Sequence, residues 1–508
     1  MNRSRLALTL LLLPLAACGD KDTDTADTGH DHGDHDTDTD ADTDADTDAD
    51  TDGDTDGDTD TDGPDHVHSY RFDSAFEDGD SVSYSGQVFR QVLIGDMKSH
   101  LGGMTARIDD GDWFPVTGDV IGELEFYLEF DSSTSGSVPL YLTTDPAAVQ
   151  SVYDDISTDK NLLGKLAGND MNGQHRDWET EFAGVGAVGS TTPEALVRQW
   201  FTEIDQQAVA WSNGAVPLDP SGAPVPAIFV TPDGRDLQQL TEKFLRGAVS
   251  FSQGADDYLD DDTDGKGLLS DHTVADDGKP YTALEHQWDE GFGYFGASRS
   301  YDLWTDDEIA DDKARDDDGD GAIDLKSEYV FGHAVNAAKR DRGASSEAPT
   351  DMTAVAFDSF LAGRELLSET AGTELSEAQR AELYDHRDAA VRAWEEAIAS
   401  TVVHYINDTL QDMGKLGTDD YDFGTHAKHW SEMKGFALSL QFNPRSPVSG
   451  DDFERMHVLL GDAPTLADAS EGDLAAYAAD LREARGLIGA AYGFDVSNLG
   501  DDDGNGGW

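Results

Sequence analysis

The amino-acid sequence predicts a mainly α-helical protein: one large helical-bundle domain with a small β-hairpin, following a disordered acidic tether. Three observations support this. Apolar residues recur at helical spacing through most of the chain after residue 69, one short run alternates by two, and the earlier residues repeat Asp-Thr units. We expect a signal peptide over 1–17, a tether over 18–68, a single domain over 69–498 and a disordered tail over 499–508.

The first residues have the pattern of an export signal. Arg3 and Arg5 precede an apolar run over 6–13 that is too short to span a bilayer. Residues 15–18, Leu-Ala-Ala-Cys, resemble the lipobox of bacterial lipoproteins, so we expect Cys18 to be acylated and to anchor the chain in a lipid bilayer. An ordinary signal peptide that happens to contain a cysteine is the alternative. The predicted location is the outer membrane, on its periplasmic or cell-surface face.

The net charge of the chain restricts the classes of partner that it can bind. The chain has 105 acidic and 34 basic residues, a net charge of −71, which argues against nucleic acid as a partner. Residues 20–66 contain 21 aspartates and one lysine and should form a self-repelling spacer. His30, His32 and His35 within it offer a weak site for a divalent metal. Cys18 is the only cysteine, so the mature protein has no internal disulfide and no thiol metal site.

Helix signals are frequent after residue 190. Thr192-Pro193 is an N-cap followed by proline, and Ser376 with Gln379 forms a capping box ahead of a long apolar face. Further helices are predicted over 236–255 and 426–441, and after Ser470. Residues 123–130 instead alternate apolar and acidic side chains. With residues 138–143, they predict the β-hairpin.

One acidic loop matches the first nine positions of an EF-hand calcium loop. Carboxylates stand at alternate positions, as an ion that takes six to eight oxygen ligands requires. Position twelve of the loop, where an EF-hand has a bidentate glutamate, is Ser327, and Glu328 follows it. The predicted calcium ligands are Asp316, Asp318, Asp320, Asp324 and Glu328. The alternative is a solvated acidic loop in a very acidic protein.

A second loop has the same aspartate spacing but a glycine in place of the apolar eighth residue. Its predicted calcium ligands are Asp260, Asp262, Asp264 and Asp271.

Two runs combine histidine with carboxylates at helical spacing. On one helix, His286, Asp289 and Glu290 share a face, and on another His429 is followed by Glu432. Nitrogen with hard oxygen donors suits iron or another divalent transition metal, so we predict one site that both helices share. A polar solvent face for the first run and a hydrogen-bonded core histidine for the second are the alternatives. His404 has the same ambiguity as His429.

The same two runs, over 285–296 and 428–436, resemble the hallmark sequences of a bacterial lipoprotein family known as domain of unknown function 4856. The resemblance extends over roughly 70–495. That family is distantly similar to imelysin-like proteins, whose mark is Gly-x-His-x-x-Glu. This chain departs from the mark at Leu284 and Asp289.

The resemblance implies a helical exported protein with a metal-linked binding role in iron acquisition and iron-uptake proteins as partners. The competing hypothesis is a calcium-stabilised structural or adhesive surface protein without catalytic activity. A metallopeptidase is the third, although the sequence has no zinc-protease His-Glu-x-x-His motif and no nucleophile elbow. Whether the protein is an enzyme stays open, and we favour a non-enzymatic role.

Overall fold

A computed structural model describes residues 69–170 and 174–508. The predicted signal peptide, Cys18 and the tether lie outside the described residues. The α-helices of the described part are α1 Ser85–Gly102, α2 Met104–Asp109, α3 Asp119–Leu128, α4 Ser132–Ser135, α5 Tyr153–Ile156, α6 Pro193–Ser212, α7 Leu237–Leu245, α8 Ala283–Phe295, α9 Gly332–Arg342, α10 Met352–Thr370, α11 Glu377–Lys415, α12 Phe423–Ser439, α13 Gly450–Leu460 and α14 Glu471–Tyr492. The mainly helical prediction is confirmed.

Side-chain caps fix the start of the main helices. The Thr192 hydroxyl accepts a hydrogen bond from the Ala195 amide, and Pro193 follows it. Ser376 and Gln379 form the predicted capping box of α11. Each cap satisfies an amide that has no partner inside the helix, which stabilises the helix by about 1 kcal/mol.

The 39-residue α11 is the centre of the bundle, and it contacts α9, α10, α12 and α14. Trp394, Ile398, Val402 and Ile406 are fully buried along it. Helix α7 lies between α1 and α12 and continues into two π-helical turns, Arg246–Phe251 and Gly254–Tyr258. Trp394 packs so closely at Gly254 that a Cβ there would lie 2.5 Å from its ring. None of the helices in the described part is long and apolar enough to cross a membrane.

The predicted β-hairpin is wrong. Residues 123–128 belong to α3, and its buried side chains Val120, Leu124, Tyr127 and Leu128 follow helical spacing. Both periods fit this run, and burial of these four side chains against the body of the protein favours the helix. On the more exposed side, Arg107 binds Glu123 at 2.7 Å and Arg198 binds Glu125 at 2.6 Å. Residues 138–143 contribute only an isolated bridge between Pro139 and Val152. Such isolated bridges are the only β-pairing in the described part of the chain.

The last ten residues also differ from the expectation of a disordered tail. The Trp508 side chain is 4% exposed, and its indole nitrogen donates to the Arg340 carbonyl at 2.8 Å. The Asn407 amide donates to the main-chain oxygen of Trp508 at 2.8 Å. Burial of the large Trp508 ring thus offsets the entropy of ordering this short polar segment.

Candidate metal centre

The loop over 314–329 is closed at its base by main-chain hydrogen bonds. Ala314 and Tyr329 form an antiparallel bridge, and the Val330 amide donates to the Lys313 carbonyl at 2.8 Å. The fully buried Ile323 ties the far side of the loop to the body of the protein. Its amide donates to Ala147 at 3.2 Å and its carbonyl accepts from Val149 at 2.9 Å. The loop is therefore held at both ends and in its middle.

Asp316 organises the turn through its carboxylate. The amides of Gly319 and Asp320 donate to its Oδ1 at 2.7 and 3.1 Å, and the amide of Gly321 donates to Oδ2 at 2.9 Å. Gly319 and Gly321 have φ of 75° and 87°, which glycine adopts without strain. The Asp-x-Asp-x-Asp-Gly sequence therefore folds into a tight concave turn whose carboxylate oxygens point toward one another.

Three carboxylates converge in that turn. Asp316, Asp318 and Glu328 each place an oxygen within 4.8 Å of the other two, the only such trio of potential ligand atoms among the described histidines and acids. Glu328 is 2% exposed, and burial raises the pKa of its carboxyl. Its Oε1 accepts from the Asp317 amide at 3.0 Å, which aims it into the loop. The glutamate that follows one position late in the sequence thus reaches the site.

The other two predicted ligands of this loop lie outside the trio. Gln150 donates to Asp324 Oδ1 at 2.7 Å, so that carboxylate is turned toward the segment that anchors the loop. Asp320 is exposed, and its Oδ1 accepts from the Ala322 amide at 2.9 Å.

The structure does not gather the second predicted calcium set. Arg445 binds Asp260, and burial raises the pKa of that carboxyl. Asp262 and Asp264 are exposed, and Asp271 accepts a hydrogen bond from the Thr273 amide at 2.8 Å. The aspartate spacing matched the loop, but Arg445 binds the carboxylate of Asp260, the first predicted ligand.

The structure does not bring together His286, Asp289, Glu290, His429 and Glu432, the residues predicted to share a transition metal. Asp289 is fully buried and binds Arg364 Nε and the Tyr70 hydroxyl at 2.8 and 2.9 Å. A buried charge needs such partners, so it is not free to bind a metal.

The remaining members of that set have other partners too. His286 stacks on Tyr281, and its Nε2 lies 3.8 Å from Glu290, which accepts from Gln87 at 2.7 Å. Glu432 lies 3.2 Å from Lys243. His429 Nδ1 lies 2.7 Å from Asp412 Oδ2. The two helices were expected to meet through their polar faces, and instead each face binds a different neighbour.

The sequence patterns did not predict two residues that bind the proposed metal ligands. Arg364, on α10, is fully buried and binds both Asp289 and Glu285. Asp412, on α11, is the partner of His429, and only its spacing of four and eight residues from Asp408 and His404 hinted at a polar stripe.

Comparison with known proteins shows a similarity to one family over part of the chain. No curated protein and no solved structure matches the chain. Residues 180–309 match the family model described as Domain of unknown function (DUF4856). The match includes the first hallmark run, over 285–296, while the second lies beyond it. The distant imelysin-like relationship stays a prediction. Residues 180–309 are thus similar to that family of unknown function, which the run over 285–296 predicted.

Proposed function

We propose that this is an exported lipoprotein whose helical domain binds Ca²⁺ in the loop from Asp316 to Glu328, and that calcium stabilises a non-catalytic surface or periplasmic protein. The observation that carries the proposal is the convergence of Asp316, Asp318 and Glu328 within 4.8 Å. Three carboxylates so close repel one another, and a divalent cation removes that repulsion.

The donor chemistry favours calcium over a transition metal at this loop. All three groups are hard oxygen donors, and the loop sequence offers no imidazole or thiolate. Calcium takes six to eight oxygens, so main-chain carbonyls and water would complete the shell. With three carboxylates in the trio, the expected dissociation constant is about 10⁻⁴ to 10⁻³ M, as in extracellular calcium modules.

Calcium is expected to raise the melting temperature of the full-length protein. At about thirty times the dissociation constant, binding to the folded state adds about 2 kcal/mol, a rise of about 2 °C for a domain of this size. Asp318→Ala removes one of the three carboxylates and should abolish the rise. Differential scanning calorimetry with and without calcium measures it. Calcium that binds residues 20–66 with equal affinity in the folded and the unfolded protein leaves stability unchanged.

Asp264→Ala is the matched control, since it removes an exposed aspartate from the other acidic loop. It should keep the calcium-dependent rise. No rise in the parent at 10 mM calcium, or equal rises in the parent and Asp318→Ala, would refute the calcium site.

The membrane anchor is part of the proposal and rests on the sequence around Cys18. Cys18→Ala should prevent acylation and release the protein from the membrane fraction of the producing cells. Cell fractionation with detection of the full chain measures this. A Cys18→Ala variant that still fractionates with membranes as the parent does would contradict the anchor and leave the calcium proposal intact.

A further inference from the structure

A histidine and two aspartates form a stripe on α11. His404, Asp408 and Asp412 follow one another at four-residue spacing, which places them on one face of the helix. His429 of α12 faces this stripe. Nothing in the calcium proposal uses these residues, and they belong to different elements from the loop over 314–329.

Both imidazoles direct a nitrogen toward the same carboxylate. Asp408 Oδ2 lies 3.3 Å from His404 Nε2 and 3.9 Å from His429 Nε2. Two ligand atoms on one tetrahedral metal are about 3.4 Å apart when each bond is near 2.1 Å. These separations are therefore close to those between ligands that share an ion.

His429 also has the outer partner that is typical of a metal-binding histidine. Its Nδ1 lies 2.7 Å from Asp412 Oδ2. That bond orients the ring and leaves Nε2 pointing toward Asp408, the arrangement in which a carboxylate supports a histidine ligand from behind. His404 forms a hydrogen bond with the Trp508 main chain, which helps to fix the position of its ring.

The cluster is open enough for an ion to enter. The side chains of His404, Asp408 and His429 are 16%, 19% and 22% exposed, while Asp412 behind them is 4% exposed. The Tyr405 ring packs 4.9 Å from the His404 ring and 6.1 Å from the His429 ring. The three proposed ligand side chains are thus partly exposed to solvent.

We propose that His404, Asp408 and His429 bind a divalent first-row transition metal, with Asp412 as the outer hydrogen-bond partner of His429. Two imidazoles and one carboxylate suit zinc, iron or cobalt and disfavour calcium. The three ligand atoms do not all lie within 4.8 Å of one another, so binding requires the imidazoles to close toward Asp408 by side-chain rotation. Water completes the coordination.

Zinc binding by the full-length protein tests this site, measured by competition with a chromogenic chelator. The parent is expected to bind one Zn²⁺ at least ten-fold more tightly than His404→Gln or His429→Gln. Asp412→Asn should weaken binding about 10- to 100-fold, the range found for outer partners of metal ligands. Binding to the histidines of the tether is common to all these variants and cancels in the comparison.

His286→Gln is the matched control, because His286 also has a carboxylate, Glu290, one helical turn away but no second imidazole near it. It should leave zinc affinity unchanged. Equal affinity in the parent and the His404 and His429 variants, or an equal loss in His286→Gln, would overturn the proposal.

Anomalous diffraction from zinc-soaked crystals of the parent keeps the test valid if a variant fails to fold. Density between His404 and His429 supports the site, and zinc bound only elsewhere refutes it. The calcium site is tested by the melting temperature and the zinc site by zinc affinity. A negative result for one site therefore leaves the other test unaffected.

Discussion

Arg364→Met is expected to destabilise the protein by about 3–5 kcal/mol, because it leaves two buried carboxylates without their cation. The guanidinium is fully buried. It binds Asp289 and Glu285 at 2.8 Å each, and its Nη2 donates to Ser81 at 2.7 Å. These contacts join α8 and α10 to the chain before α1. Methionine fills a similar volume, so lost charge pairing is the main effect.

Urea unfolding at pH 7 measures the effect, with Arg455→Met as control. Arg455 binds Glu483 through side chains that are about half exposed, and such surface pairs contribute about 0–1 kcal/mol. Adding Asp289→Asn to Arg364→Met should recover part of the loss, since it removes one buried charge. A loss in Arg364→Met no larger than in Arg455→Met would contradict this account.

The contribution of Glu395 to stability is expected to fall as the pH rises from 5 to 8. Glu395 is fully buried on α11, and burial raises the pKa of its carboxyl to about 7. Asn443 and Tyr492 donate hydrogen bonds to it at 2.6 and 2.9 Å, and these only partly offset the desolvation of the charge.

The direction follows from the pKa in each state. The folded pKa is above the unfolded value, so this contribution is complete below about pH 4.5 and is lost as the pH rises through about 7. The loss is about 3 kcal/mol by pH 8, as an order of magnitude. Asp96, Asp236 and Asp256 act in the same direction, because burial raises the pKa of each to about 6. Burial lowers the pKa of His333 and His426 to about 3 and 4, which acts in the opposite direction, so the effect of Glu395 is measured as a difference between the parent and a variant.

Glu395→Gln should remove this contribution, so that the stability of the variant relative to the parent increases from pH 5 to pH 8. Urea unfolding at pH 5 and pH 8, in the presence of a calcium chelator, measures this. Glu396→Gln is the control, since its partly exposed side chain pairs with Arg392. A pH dependence that is equal in the parent and Glu395→Gln would show that Glu395 does not ionise across this range.

The sequence alone correctly predicted the features that depend on residues close together in the chain. The caps at Thr192 and Ser376 and the apolar spacing of α11 act within a few turns, so they predicted the helices correctly. The Asp316 turn was predictable for the same reason, since its aspartates and glycines fix the local backbone. The family motif over 285–296 was also readable without any knowledge of packing.

Only the tertiary structure decided which side chains meet. The run over 123–130 fits a strand and a helix equally well, and burial of Leu124, Tyr127 and Leu128 on one helical face distinguishes them. Asp289 has the spacing of a metal ligand, but Arg364, 75 residues later, binds it. His429 was expected to face His286 and instead faces Asp412 and Asp408. A buried charged side chain pairs with an opposite charge that the packing brings within about 4 Å. The spacing of residues along one helix does not indicate which residue that partner is.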